Sequence, residues 1–158
     1  MTLEELTDPL PWGLHDARLE TLEVDWLRAR LTLTARLMMS EHQDLDQRAR
    51  FTLDGLVYCS IEAPEIDPGR GYEAIPPGGL MVSEGTGAAP GYEATLPPTP
   101  QGCFLHWFFV VQWNRFIHVC ARDARLTWLD PSPVAARAGT RALFPGDELP
   151  DPERTASE

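Results

Sequence analysis

The sequence predicts a mainly β fold: an antiparallel sandwich or strongly curved sheet of about six to eight strands, with short helical turns at the ends. Three observations carry that expectation. Ala29, Leu31, Leu33, Ala35, Leu37 and Met39 alternate with Arg30, Thr32, Thr34 and Arg36, and a period of two is what a strand with one wet face requires. Residues 103–113 and 116–121 are largely apolar at both parities, as strands covered on both faces are. Helix signals, by contrast, are confined to the two ends of the chain.

In order along the chain, Thr2 and Glu5 have the spacing of a capping box, so a short helical turn is expected before Pro9 and Pro11. Leu22, Val24 and Trp26, alternating with Glu23 and Asp25, form an amphipathic hairpin with the run from 29 to 39. Residues 40–47 are a polar connection. A third strand runs from 48 to 61 with Ala49, Phe51 and Leu53 on one face, and Asp54-Gly55 within it marks either a β-bulge or a hairpin turn. Residues 62–102 carry eight Pro and eight Gly and are expected to form one long irregular connection, a length that is uncommon unless it is functional or disordered.

The apolar block then folds back through either a two-residue loop at Trp113-Asn114 or a four-residue loop from Gln112 to Arg115, and both give one register that sets Phe109 opposite His118, Trp107 opposite Cys120 and Phe108 opposite Val119. Asp123-Ala124-Arg125-Leu126 echoes Asp16-Ala17-Arg18-Leu19 and suggests equivalent strand starts. Residues 133–138 have the pattern of a helical turn stopped by Gly139. The domain is expected to span 1–144, and residues 145–158, with three Pro and a net charge of −4, to form a disordered acidic tail.

With 24 acidic residues against 13 basic ones, all of them Arg, the net charge is −11. A field of that sign repels phosphates and anionic lipid head groups, so nucleic acid and membrane are not expected as partners, and a basic protein is. Residues 62–102 hold −5 of the charge and the tail −4, which leaves the presumed strands close to neutral. Acidic residues where a secretory signal would be basic, and no apolar run near the roughly 20 residues of a membrane span, set the expected location in the cytoplasm.

Two constellations qualify as candidate sites. Gly71-Tyr72-Glu73-Ala74 recurs as Gly91-Tyr92-Glu93-Ala94. In the functional reading Tyr72 and Tyr92 are interface anchors of large area and low entropic cost, and Asp67, Glu73, Glu84 and Glu93 pair with a partner's cations. In the packing alternative each Tyr lies on the sheet and each Glu is solvated.

The second constellation is His118 with Cys120, which share a strand face at i, i+2 and would serve a small enzyme as a zinc or thiol–imidazole site. Zinc needs three or four converging ligands, and the proposed register puts His106 on the other face, so a buried neutral His and a core thiol also account for the pair. Cys59, Cys103 and Cys120 are all read as buried thiols. His15-Asp16 shares its letters with the His-Asp pair of metal phosphohydrolases, but neighbours on a strand point apart, so a structural role is expected. The Gly-rich stretch 78–87 lacks the Gly-Lys-Ser/Thr ending of a phosphate loop and carries Glu84. No cofactor is expected.

Leu14-His15-Asp16-Ala17 leading into an amphipathic hairpin, followed later by His106-Trp107-Phe108-Phe109-Val110 and by residues 116–124, resembles small bacterial β-rich proteins. Several such families occur as immunity proteins beside polymorphic toxins. The resemblance covers half the chain, leaves out the Pro/Gly-rich segment and brings no catalytic residues with it. It implies an immunity-type protein, and the acidity concentrated in the aromatic-bearing loop sets the expectation of a non-enzymatic binding protein that occludes a cationic toxin or effector such as a nuclease. Self-association into a homodimer through an exposed hairpin face is a further expectation.

Overall fold

A computed structural model describes residues 1–39, 46–65 and 78–130. Asp67, Tyr72, Glu73, the helical pattern at 133–138 and the tail 145–158 lie outside the described residues. A short helix α1 (Leu3–Thr7) opens the chain, and Thr2 and Glu5 cap it reciprocally as their spacing predicts. Eight strands follow among the described residues: β1 (Ala17–Asp25), β2 (Arg30–Leu37), β3 (Gln47–Asp54), β4 (Tyr58–Ile61), β5 (Leu80–Thr86), β6 (Phe104–Val110), β7 (Arg115–Ala121) and β8 (Asp123–Trp128). They form one antiparallel sheet in the order β4-β7-β6-β5-β1-β2-β3-β8, so the mainly β architecture is as expected.

Chain continuity curls this sheet back on itself. β3 and β4 are one segment interrupted at 55–57, and β7 and β8 are another interrupted at Arg122. Because β3 pairs with β8 and β4 with β7, the same two segments hold both ends of the strand order together around a single core. Of the two readings of Asp54-Gly55, the bulge is the one found. Tyr58 stands opposite Cys120, yet the Val57 N–H also reaches the Cys120 carbonyl at 2.8 Å, so two residues share one partner. Gly55 takes φ +66 there, and a Cβ on it would stand 2.9 Å from the Arg122 side chain.

The inward face is set by the alternation read from sequence. Leu31, Leu33, Ala35 and Leu37 on β2, and Ala49, Phe51 and Leu53 on β3, are buried, and removing one such side chain as large as Phe or Leu from water stabilises the fold by about 1.5–3 kcal/mol. On β1 the register shifts between Leu19 and Thr21, so Ala17 and Leu19 face in, followed by Leu22 and Val24. Trp26 does not continue that face. The strand ends at Asp25, and Trp26 lies in the turn with its ring exposed.

Two further expectations need correction. Residues 62–102 are not one irregular connection, because β5 runs through them between β1 and β6. Leu80 and Val82, alternating with Met81 and Ser83, supply a short period-two signal that the surrounding Gly and Pro conceal. The β6–β7 register also differs by two residues. Trp107 pairs with His118 and Phe109 with Phe116, around a loop at 111–114 whose last residue, Asn114, takes φ 50. A loop of about four residues ending in a left-handed residue is a favoured hairpin solution, and Asn tolerates that conformation where Gln112 and Trp113 do so less readily. A shift of two leaves every side chain on its expected face.

His15 and Asp16 are not strand neighbours but part of the turn before β1, with Asp16 at φ 58. Their side chains therefore approach, to 3.7 Å, instead of pointing apart. Among the described residues no helix is long and apolar enough to cross a membrane.

Candidate functional site

The β6–β7 hairpin carries the candidate chemistry on two opposite faces. Inside the curl, β5 turns Leu80, Val82 and Glu84 toward the core, and Glu84 stands opposite Phe108 of β6. Its Oε2 lies 2.6 Å from His106 Nε2, and its Oε1 accepts the Leu14 N–H at 2.6 Å. His106 is 2% exposed and the Glu84 side chain 14%, so the pair is largely withdrawn from water. Gly13 makes room for it: a Cβ there would stand 2.8 Å from Glu84 Oε1. Thr86, at the end of β5, donates to Glu4 Oε1 at 3.2 Å and fastens α1 over this end of the sheet.

The outer face carries Trp107, Phe109, Phe116, His118 and Cys120, and the segment 87–103 reaches three of them: Phe116 and His118 through Tyr92, and Cys120 through Cys103. The Ala89 N–H donates to His118 Nε2 at 3.2 Å, which assigns the ring proton to Nδ1 and makes the imidazole neutral. Burial holds His118 below the usual histidine range, with Glu62 partly opposing that shift. The Tyr92 ring lies 5.1 Å from His118 and 5.2 Å from Phe116, and its hydroxyl donates to Glu62 Oε1 at 2.8 Å. Glu62 Oε2 accepts the Phe116 N–H at 2.7 Å, so this one carboxylate ties the cover to the strand beneath it. Tyr58 on β4 adds a further tie to the carbonyl of Pro97 at 3.2 Å. Gly85, paired with Trp107, leaves that indole space to lie over β5, since a Cβ there would meet the ring at 2.4 Å.

This environment decides what His118 and Cys120 can do. Both are 0% exposed. Burial, with a smaller contribution from Cys103, pushes the Cys120 thiol up to about 11, and burial pushes Cys59 to about 11 as well. A thiol held protonated at neutral pH is a poor nucleophile and a poor metal ligand. His118 spends its lone pair on a backbone N–H, so it is not free to act as a base toward Cys120. His106 lies on the opposite face, as the sequence implies, and no three His, Cys, Asp or Glu side chains gather as a ligand set among the described residues. Of the three thiols only Cys120 is fully buried; Cys59 and Cys103 are half-buried.

The other expected contact residues are placed as follows. Glu84 faces the interior and both of its oxygens are engaged, while Tyr92 is a fastener of the cover. Glu93, beside it, is exposed. The interior Glu84–His106 pair escaped the sequence reading, although Leu80, Val82 and Glu84 share a parity that predicts a common face once the strand is seen. Away from both histidines, a cleft of about 230 Å³ is lined by Asp16, Arg18, Met38, Asp46 and Met81.

Comparison of the chain with protein-family models, with curated proteins and with solved structures finds no match in any of the three.

Proposed function

We propose that this chain is a non-enzymatic binding protein of the immunity type, which meets a basic protein partner through acidic side chains of its irregular segments. What supports this reading most is the division between acids that the fold consumes and acids that it leaves outside. On the strands, Glu20 pairs with Arg36 and Arg48, and Asp54 with Arg30 and Arg125. Burial alone would push the Glu20 carboxyl up, but the two guanidiniums together pull it below the usual range. Arg30, and with it Arg125, does the same for Asp54 against a smaller effect of burial.

The strands are thus close to neutral by pairing, whereas the segments 62–102 and 145–158 hold −5 and −4 of the total −11. Glu62 and Glu84 are engaged within the fold and Glu65 pairs with Arg115, which narrows the partner-facing acids of 62–102 to Glu93 and, from the sequence, Asp67 and Glu73 with Tyr72 beside them. Charge of one sign on such a surface steers an oppositely charged partner and raises its association rate. The raised Cys120 and Cys59 thiols and the engaged His118 support binding rather than nucleophilic chemistry.

Titration calorimetry against the purified products of the genes flanking this one tests the proposal. A basic product should bind, with affinity falling as salt rises, and Glu93→Lys should slow association several-fold. Heats indistinguishable from dilution for every flanking product, or binding indifferent to salt, contradict it.

A further inference from the structure

We propose that the tip of the β1–β2 hairpin is a self-association surface whose occupant is a second copy of this chain, related by a twofold axis. The paired strands end at Asp25 and Arg30, and the four residues between them form the turn. Leu27 at its apex is 101% exposed and Trp26 66%. The Leu56 N–H donates to the Ala29 carbonyl at 2.7 Å, which fastens the last residue of the turn to the segment after β3 and leaves Trp26 and Leu27 beyond it. Single exposed apolar residues are ordinary; a Trp and a Leu held together at the apex of a hairpin are not.

The turn is built rather than loose. Arg28 N–H donates to Asp25 Oδ1 at 3.0 Å, the Arg28 guanidinium reaches Asp25 Oδ2 at 2.7 Å, and Ala29 adopts φ 47, a conformation that L side chains take reluctantly. The β6–β7 hairpin uses a loop of the same length, with Asn114 at φ 50 in the same last position. There the loop is tied down: Gln112 Oε1 accepts the Met81 N–H at 3.0 Å, and the Trp113 carbonyl accepts the Glu65 N–H at 3.0 Å. Turn geometry does not by itself demand a bare apolar apex.

The order of residues identifies the occupant. Asp25-Trp26-Leu27-Arg28 reads acid, apolar, apolar, base. A twofold axis reverses that order in the second copy, so Asp25 meets Arg28 of the second copy and Trp26 meets its Leu27. This is the self-complementarity that an isologous contact requires. Each Asp25–Arg28 pair within a copy is exchanged for the same pair across the axis, so charges stay paired while the apolar side chains leave water. The patch is smaller than the roughly 800 Å² per partner of a standard interface, so the dimer forms at high micromolar concentration. None of this depends on the basic-partner reading, which concerns other residues.

Sedimentation velocity of the full chain from about 5 to about 500 µM tests the proposal. The wild type should pass from monomer to dimer, and Leu27→Asp, with an unchanged thermal melt, should raise the dissociation constant at least about tenfold. Asp25→Arg and Arg28→Asp should each weaken self-association. Mixed in equal amounts, those two variants should recover it, because only the mixed dimer pairs Arg with Asp at both ends. A wild type that stays monomeric throughout, a dimer indifferent to Leu27→Asp, or a mixture no stronger than its components overturns the proposal. Monomeric protein that instead binds phosphatidylcholine–phosphatidylserine vesicles through Trp26 overturns it in favour of a lipid surface.

Discussion

The two faces of the β6–β7 hairpin bury a histidine by different means. His106 on the inner face meets the carboxylate of Glu84 on the adjacent strand, so the curled sheet alone supplies its partner. His118, a residue on the opposite face, meets the backbone N–H of Ala89 and is roofed by Tyr92, both from a segment outside the sheet. The inner face is closed by strands, with α1 and Leu14 packed over one end, and the outer face by an irregular cover, so the outer one should open at lower cost.

Four perturbations sharpen that contrast. Phe108 is buried on the inner face, and Phe108→Ala should cost about 3–5 kcal/mol in denaturant unfolding. Phe109→Ala, half-buried on the outer face, should cost clearly less. Equal losses would erase the distinction between the faces.

Next in size is Glu84→Ala, which strips the Leu14 N–H and His106 of their acceptor and should cost about 2–4 kcal/mol. Glu84→Gln keeps an acceptor for Leu14 and should cost less than Glu84→Ala; the reverse order would mean that the interior pairing is not what holds this end together.

Third, His118 titrates below its unfolded value of about 6.5 because burial disfavours its charged form. A group with a depressed folded pKa that is neutral in the fold contributes fully above the unfolded pKa. Stability should therefore fall as pH drops below about 6.5, by at most about 1.4 kcal/mol per pH unit from this group, until the lowered folded value is passed. His118→Gln should flatten that part of the unfolding profile measured from pH 8 to pH 5. A slope unchanged by the substitution would mean that another group carries it.

The smallest effect belongs to Tyr92→Phe. It keeps the ring over His118 but deletes the bond to Glu62, at a cost of about 1 kcal/mol. Hydrogen exchange is the informative measurement, because the Ala89 amide should exchange several-fold faster while amides of β6 and β7 are unaffected. Uniform acceleration would show that the cover and the sheet open as one unit.

The strand content, the inner faces of β2 and β3 and the capped first turn were legible because alternation and capping act over a few residues. β5 was hidden because seven residues among eight Pro and eight Gly give a strand signal too short to outweigh the breakers around it. The β6–β7 register goes with a left-handed Asn114, in a hairpin end held by Met81 on Gln112 and by Glu65 on Arg115, partners distant in sequence that no local pattern announces. Apolar side chains at both parities announced two covered faces but not which cover was strand and which was loop. That ambiguity is why the sequence leaves Tyr92 both an anchor reading and a packing reading, while in the fold its ring lies against Phe116 and its hydroxyl is bonded to Glu62.

The claim that the His118–Cys120 face is packing rather than chemistry is tested most directly by thiol labelling of the native protein at pH 8 with iodoacetamide, resolved by peptide. A thiol that is 0% exposed and raised to about 11 predicts that Cys120 stays unlabelled until denaturant is added. Labelling of Cys120 in the folded protein as fast as a free thiol, or faster, would contradict it.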